Sequence, residues 1–215
     1  MVEFEQITKG INIKPEKGAF GYASITLLKD GDENILFDTG SYGVRSVIKD
    51  LLKKKKIDKV FISHLHFDHC SNLDLFKDSK IYINENELKN LVENNEDSDL
   101  YKPLLKIIDE YDVYTFNDEM NISNNIKIVL TYGHTVGHSS LEFQEGERRV
   151  LVAGDAIKSL NDYLNSNEYG NAQNPEEYIK TKEKIKNNYD VIIPGHSDII
   201  DKNSLHNSPL QIRIF

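Results

Sequence analysis

The spacing of apolar residues divides the chain into short strands and a few helices. Val60-Phe61-Ile62-Ser63 is an uninterrupted, β-branched-rich run of the kind that is buried on both faces of a sheet. Ser24-Ile25-Thr26-Leu27-Leu28 and Ile35-Leu36-Phe37 read as two strands, and Lys29-Asp30-Gly31-Asp32 between them has the turn chemistry of a hairpin. Further strands are predicted over residues 81–83, 113–116, 126–131, 141–143, 150–153 and 191–193. Val44, Val47, Ile48, Leu51 and Leu52 recur at helical spacing, which predicts a helix over 44–55. Helices are also predicted over 85–94, 100–109 and 175–187. Before Phe20 the pattern is weak, with Ile7, Ile11 and Ile13 pointing to a short edge strand. Each half of the chain offers strands, a polar turn, a helix and a buried strand. Two facing sheets with helices outside are the expected α/β architecture, in one domain over residues 1–215.

Composition narrows the function. The formal net charge of -9 opposes a dedicated nucleic-acid binder, which needs a basic face. The one basic run, Lys53-Lys54-Lys55-Lys56, closes the first predicted helix, where cations complement the helix dipole. No stretch approaches the roughly 18 apolar residues of a membrane span, and the first residues have neither a basic nor an apolar signal region. The single cysteine, Cys70, excludes an intrachain disulfide and suits a reducing compartment, so a cytoplasmic protein acting on a small-molecule substrate is expected.

The buried strand at 60–63 runs into His64-Leu65-His66-Phe67-Asp68-His69. The chain has seven histidines, and three of them fall in this stretch beside an aspartate, which a merely solvated loop explains poorly. A sharp turn at His64 lets His64 and His66 face one metal ion, while Asp68 and His69, on a following helical turn, face a second. Later strand ends carry the same residue types: Gly133-His134-Thr135-Val136-Gly137-His138, Gly154-Asp155 and Pro194-Gly195-His196. A glycine beside each lets the backbone turn sharply and leaves room for a metal.

Taken in order, from Asp38-Thr39-Gly40 to His196, these motifs resemble the metallo-β-lactamase superfamily of metal-dependent hydrolases, whose signature is H-x-H-x-D-H followed by a distant His, an Asp and a final His. The resemblance implies a four-layer αββα sandwich with two metals at one edge. It implies that His64, His66 and His134 hold one metal, that Asp68, His69 and His196 hold the other, and that Asp155 bridges them. Asp38 is similar to the carboxylate that family members place beneath the histidines. His138 sits where the family has a second histidine that is not a ligand, which gives it a supporting role. Cys70 is expected to be a small buried side chain rather than a ligand.

The implied cofactor is a pair of zinc ions, with iron or manganese as alternatives. The implied chemistry is attack by metal-bound hydroxide on an ester, thioester, lactone or phosphodiester, with Asp68 orienting the nucleophile. Acyl-homoserine lactonases of this superfamily place a tyrosine three residues after the bridging Asp, where this chain has Lys158. Lys158, Tyr163 and Tyr169, in the polar segment 156–174 that reads as a lid, are the candidate substrate contacts. The competing implication is a persulfide-dioxygenase-like enzyme with a single iron.

Overall fold

The computed structural model describes residues 1–13, 20–95, 101–165 and 167–207. The first half of the chain supplies β1 (Val2–Thr8), β2 (Ile11–Ile13), β3 (Phe20–Tyr22), β4 (Ile25–Asp30), β5 (Glu33–Phe37), α1 (Arg45–Leu52), β6 (Lys59–Ile62), α2 (Phe67–Cys70), β7 (Lys80–Asn84), α3 (Glu85–Asn95), α4 (Lys102–Glu110) and β8 (Val113–Phe116). The second supplies β9 (Met120–Asn121), β10 (Ile126–Leu130), β11 (Ser139–Glu145), β12 (Arg148–Gly154), α5 (Leu160–Leu164), α6 (Pro175–Asn188), β13 (Val191–Pro194), β14 (Ile200–Asp201) and α7 (Lys202–Asn207). One sheet runs β1-β4-β5-β6-β7-β8, the other β14-β13-β12-β11-β10-β9, and β2 pairs with β3 alone.

The uninterrupted apolar runs have a simple cause: their strands are buried on both faces. In β6, Phe61 enters the core between the sheets, while Val60 and Ile62 face the cluster formed with Ile48 and Leu51 of α1 and Leu104 of α4. In β12, Val150 and Val152 enter the central core, and Leu151 and Ala153 face Ile185 of α6. The result is the expected order of helices, sheet, sheet and helix. Phe37, Phe61 and Phe116 line the central seam with ring centroids 5.3 and 5.9 Å apart. Burying each such ring contributes on the order of 2–3 kcal/mol.

The sheets are also tied at one end by polar contacts. Asp30, at the end of β4, accepts hydrogen bonds from Ser123 Oγ at 2.7 Å, Asn125 N–H at 2.8 Å and Asn125 Nδ2 at 2.7 Å. Nearby, Lys59 Nζ donates to Ile122 O at 2.8 Å.

Some elements differ from expectation. β1 is a full strand: Val2 and Phe4 reach the central core and alternate with exposed Glu3 and Glu5, but a register shift between Gln6 and Thr8 sends Ile7 to the outer cluster and cuts the alternation short. α1 is shorter than 44–55. It follows a 3-10 turn at Tyr42–Val44 and ends at Leu52, leaving Lys53 and Lys56 in exposed pairs with Asp50 and Asp58. α5 lies within the segment expected to be a lid, and is capped by Ser159. No helix among the described residues is long and apolar enough to cross a membrane.

Candidate metal centre

Parallel pairing decides where the polar turns emerge. β5 and β6 are parallel, as are β12 and β13, so their carboxyl ends lie along one edge of the sandwich with the β10–β11 turn. Asp38 follows β5, the 64–69 stretch follows β6, Asp155 follows β12 and His196 follows β13.

Asp38 is fully buried and has φ 59°, a left-handed conformation that Asp tolerates better than most residues. That bend aims its carboxylate under the histidines. Oδ1 accepts from Ser63 N–H at 2.8 Å, and Oδ2 accepts from Ser63 Oγ at 2.8 Å and faces His69 Nδ1 at 2.7 Å. The Asp38-Thr39-Gly40 turn also grips α2: Thr39 N–H donates to His69 O at 2.7 Å, and Asn72 Nδ2 donates to Thr39 O at 2.8 Å and Ser41 O at 2.9 Å.

Above this base, donor atoms converge. His64 Nε2 and His134 Nε2 lie 2.9 and 3.1 Å from His66 Nδ1, so three ring nitrogens face one point. Asp68 Oδ2 lies 3.9 Å from His69 Nε2 and 3.5 Å from His196 Nε2. Asp155 stands between the two sets. Its Oδ2 is 3.3 Å from His134 Nε2, while its Oδ1 is 3.2 Å from His196 Nε2 and 3.5 Å from His69 Nε2. His64–His66–His134, Asp68–His69–His196 and His64–His69–Asp155 are each compact enough to hold a metal ion.

Three observations fit a cation. Three imidazole nitrogens aimed at one point cannot all be satisfied by shared protons, whereas a metal accepts all three lone pairs. His69 Nε2 and Asp155 Oδ1 are buried with no hydrogen-bond partner among the described residues. A β-carbon at Gly195 would stand 2.0 Å from Asp155 Oδ1, so glycine alone keeps that oxygen open.

The electrostatics agree. Burial and neighbouring imidazoles hold the His64 pKa well below the ordinary histidine value. Burial does the same at His134 and lowers His66, and Lys158 adds to both. These rings are neutral, as ligation requires. Burial would lower His69 and His196 too, but Asp155, with Asp38 at His69, outweighs it and raises both. Carboxylates gathered there favour positive charge.

The remaining predicted residues divide. His138 is buried with Nδ1 2.9 Å from Thr131 Oγ1, and its ring stacks near His64 at 5.1 Å, outside the three donor groupings. Burial takes its pKa down to about 3. Cys70 is buried, donates to His66 O, and has its thiol pKa pushed up by burial. Lys158 and Tyr169 line a cavity of about 320 Å³ together with Asn12, Ser159, Glu168 and His196. Lys158 Nζ donates to Asn171 Oδ1 at 2.6 Å and stands 5.3 Å from the centre of the Tyr178 ring. Tyr163 is not brought to this cavity. It packs against the cluster of Leu151, Ile157 and Ile185 beneath Lys186, because α5 turns that face onto the sheet.

Two residues that sequence reasoning passed over complete the site. Glu87, on α3, is buried and accepts backbone N–H groups from two histidine-bearing turns; burial raises its pKa. Lys182, on α6, is fully buried. Its Nζ donates to Asp162 Oδ1 at 2.9 Å, to Asn165 O at 3.1 Å and to Glu168 O, suspending the wall of the cavity. A charged residue within a helix usually reads as solvent-facing, which conceals both.

Facing sheets clad in helices, with histidines and carboxylates gathered at one edge, are the build of a metal-dependent hydrolase. The model of the metallo-beta-lactamase superfamily matches residues 18–196, and the chain belongs to that superfamily. It is 28% identical to a probable metallo-hydrolase of Methanocaldococcus jannaschii, the match covering 85% of this chain and 92% of the relative. It is also 28% identical to a beta-lactamase-like protein 2 homolog of Caenorhabditis elegans, where the match covers 82% of this chain but 56% of the relative. A Ribonuclease Z of Pediococcus pentosaceus is 40% identical over 57 residues, which is 26% of this chain and 18% of that enzyme. Among solved structures, a candidate metallo-beta-lactamase of Thermotoga maritima superposes with a TM-score of 0.75 at 20% identity, covering 93% of this chain and 99% of that one. An N-acyl homoserine lactone hydrolase, with product bound at its catalytic metal centre, gives 0.70 at 16% identity, covering 98% and 96%.

Proposed function

We propose that the chain, acting as one unit, is a dinuclear hydrolase. His64, His66 and His134 would hold one divalent metal, zinc by preference, and Asp68, His69 and His196 the other, with Asp155 shared. The observation that carries this reading is Asp155, whose two oxygens face different histidine sets at 3.3 and 3.2 Å. When bound, such metals supply Lewis acidity and lower the pKa of water from about 16 toward about 7. The compact Asp68–His69–His196 set supports two metals over the single iron of a dioxygenase.

The chain's own residues supply the rest. Asp38 fixes the His69 ring through Nδ1, leaving Nε2 directed into the site. Asp68 is the least buried of the site carboxylates, with a side chain 20% exposed, and would orient the attacking hydroxide by accepting its hydrogen bond. Lys158, on the wall beside His196, is suited to an oxyanion or to an anionic group on the substrate. Ester, thioester, lactone and phosphodiester bonds share the carbonyl or phosphoryl oxygen this arrangement serves. Likeness to a lactone hydrolase keeps lactones in the panel, while Lys158 replaces the tyrosine expected of a lactonase. A small molecule suits a cavity of about 320 Å³ and a net charge of -9 better than a polyanion does. A reducing, cytoplasmic setting suits the lone, buried Cys70.

The test is elemental analysis after gentle purification, followed by a panel of those four bond types. Close to two zinc equivalents and turnover of one class are expected. A single iron, with no uptake of a second metal on titration, would overturn the proposal.

A further inference from the structure

We propose that Glu87 is a positioning residue that sets the metal affinity of the His64–His66–His134 grouping. This rests on reading that grouping as a metal site. Glu87 Oε2 accepts from Leu65 N–H at 3.0 Å, and Oε1 accepts from Gly137 N–H at 2.8 Å. Leu65 lies between His64 and His66, and Gly137 lies in the turn that carries His134. One carboxylate therefore clamps, through their main chain, the two turns that must meet to form this grouping. The turns come from different sheets, which are also joined at the base of the site by Ser139 N–H to Ser63 O at 3.0 Å; Glu87 adds the tie that falls between His64 and His66 on one side and within the His134 turn on the other. Gly137 belongs to the same device: a β-carbon there would come within 2.7 Å of Glu87 N.

The other grouping hangs from different supports. His69 is held through its carbonyl by Thr39 and Gly40 N–H at 2.7 and 3.1 Å and through its ring by Asp38, and His196 N–H donates to Lys158 O at 2.7 Å. Loss of Glu87 should therefore act on one metal and spare the other. A carboxylate suits the task because both oxygens accept. Glutamine keeps one acceptor but turns an amide NH₂ toward a main-chain N–H, breaking one side of the clamp.

The experiment uses the full chain stripped of metal and titrated with zinc alone against a chromophoric chelator, in wild type, Glu87→Gln, Glu87→Ala and Ile48→Ala. Ile48, on α1, is buried in the outer cluster and takes no part in the clamp's hydrogen bonds, so its truncation lowers thermal stability while leaving those bonds in place. In Glu87→Gln, one of two zinc equivalents should bind about 10- to 100-fold more weakly and the other as in wild type. Glu87→Ala should weaken the same equivalent further, and Ile48→Ala neither. Wild-type affinity for both equivalents in Glu87→Gln overturns the proposal. So does equal weakening of both, or an effect of the same size in Ile48→Ala, since Glu87 would then act only through stability. If Glu87→Ala fails to fold, Glu87→Gln decides alone. A wild-type chain that binds one equivalent overturns the two-metal reading, while Glu87→Gln still decides this one; a chain that binds none removes both.

Discussion

The two ends of the sandwich both bury a carboxylate, and they treat it in opposite ways. At one end Asp30 receives three hydrogen bonds from Ser123 and Asn125, and its acceptor capacity is well used. At the other, Asp155 sits among imidazoles with Oδ1 lacking any hydrogen-bond partner among the described residues. Leaving a buried acceptor unmet costs about 1–3 kcal/mol, so a fold that keeps several at one edge does so for a ligand. Satisfied polar groups mark where this molecule is fastened; unmet ones mark where it works.

The largest expected effect tests the working end. Asp68→Ala should lower turnover by roughly 100- to 10,000-fold, the scale of losing a positioned nucleophile and one Lewis acid. A melting curve and metal count on the same variant should show a folded chain retaining the His64–His66–His134 metal. Near-native turnover would make the two ends chemically alike and break the contrast. Chelation should come next. Metal present at 100–1,000 times its Kd stabilises the folded chain by about 2.7–4.1 kcal/mol, so a chelator should lower Tm by about 5–15 °C for a chain of this size. Calorimetry with and without chelator checks it.

Asp30→Ala sharpens the other side. It should destabilise by about 2 kcal/mol at neutral pH, in urea unfolding, with metal content unchanged. Burial would raise the Asp30 pKa, but the bonds from Asn125 and Ser123 prevail and hold it below the ordinary value. Its stabilisation is thus fully present above the unfolded pKa of about 3.9 and is lost as pH falls through the lower folded value. The gap between variant and wild type should close in that window. A gap that widened on acidification would contradict the fastening role. The smallest effect is expected at His138, which contacts Thr131 and lies outside the donor groupings. His138→Ala should slow turnover by roughly tenfold and leave both metal equivalents in place. Loss of one equivalent would move His138 into the ligand set.

Much of this was legible in the sequence because the strands that build the centre are buried on both faces. Val60-Phe61-Ile62 and Val191-Ile192-Ile193 cannot be mistaken for surface, and the polar residues that follow them stand out. β1 shows its alternation over only Val2 to Glu5, because the register shift between Gln6 and Thr8 moves Ile7 to the other face. Glu87 and Lys182 were invisible for a deeper reason. Each is a charged residue in a polar helix, and what it does depends on main-chain groups brought to it by distant parts of the chain. Tyr163 shares the 156–174 segment with the other candidate substrate contacts, Lys158 and Tyr169, but α5 turns it onto the Leu151 and Ile185 cluster.

The wall of the cavity has a consequence for how such a protein can change over generations. Lys182 holds it largely through the carbonyls of Asn165 and Glu168, and its far end is joined to the histidine turn by Gln173 N–H to His134 O at 3.0 Å and Asn174 N–H to Gly133 O at 2.9 Å. Carbonyl and amide groups persist whatever side chain a codon specifies. Asp162, which anchors by its side chain, is the fixed point; point substitutions elsewhere along the wall can therefore accumulate, and redraw which molecules fit, while its main-chain attachment to the scaffold is inherited unaltered.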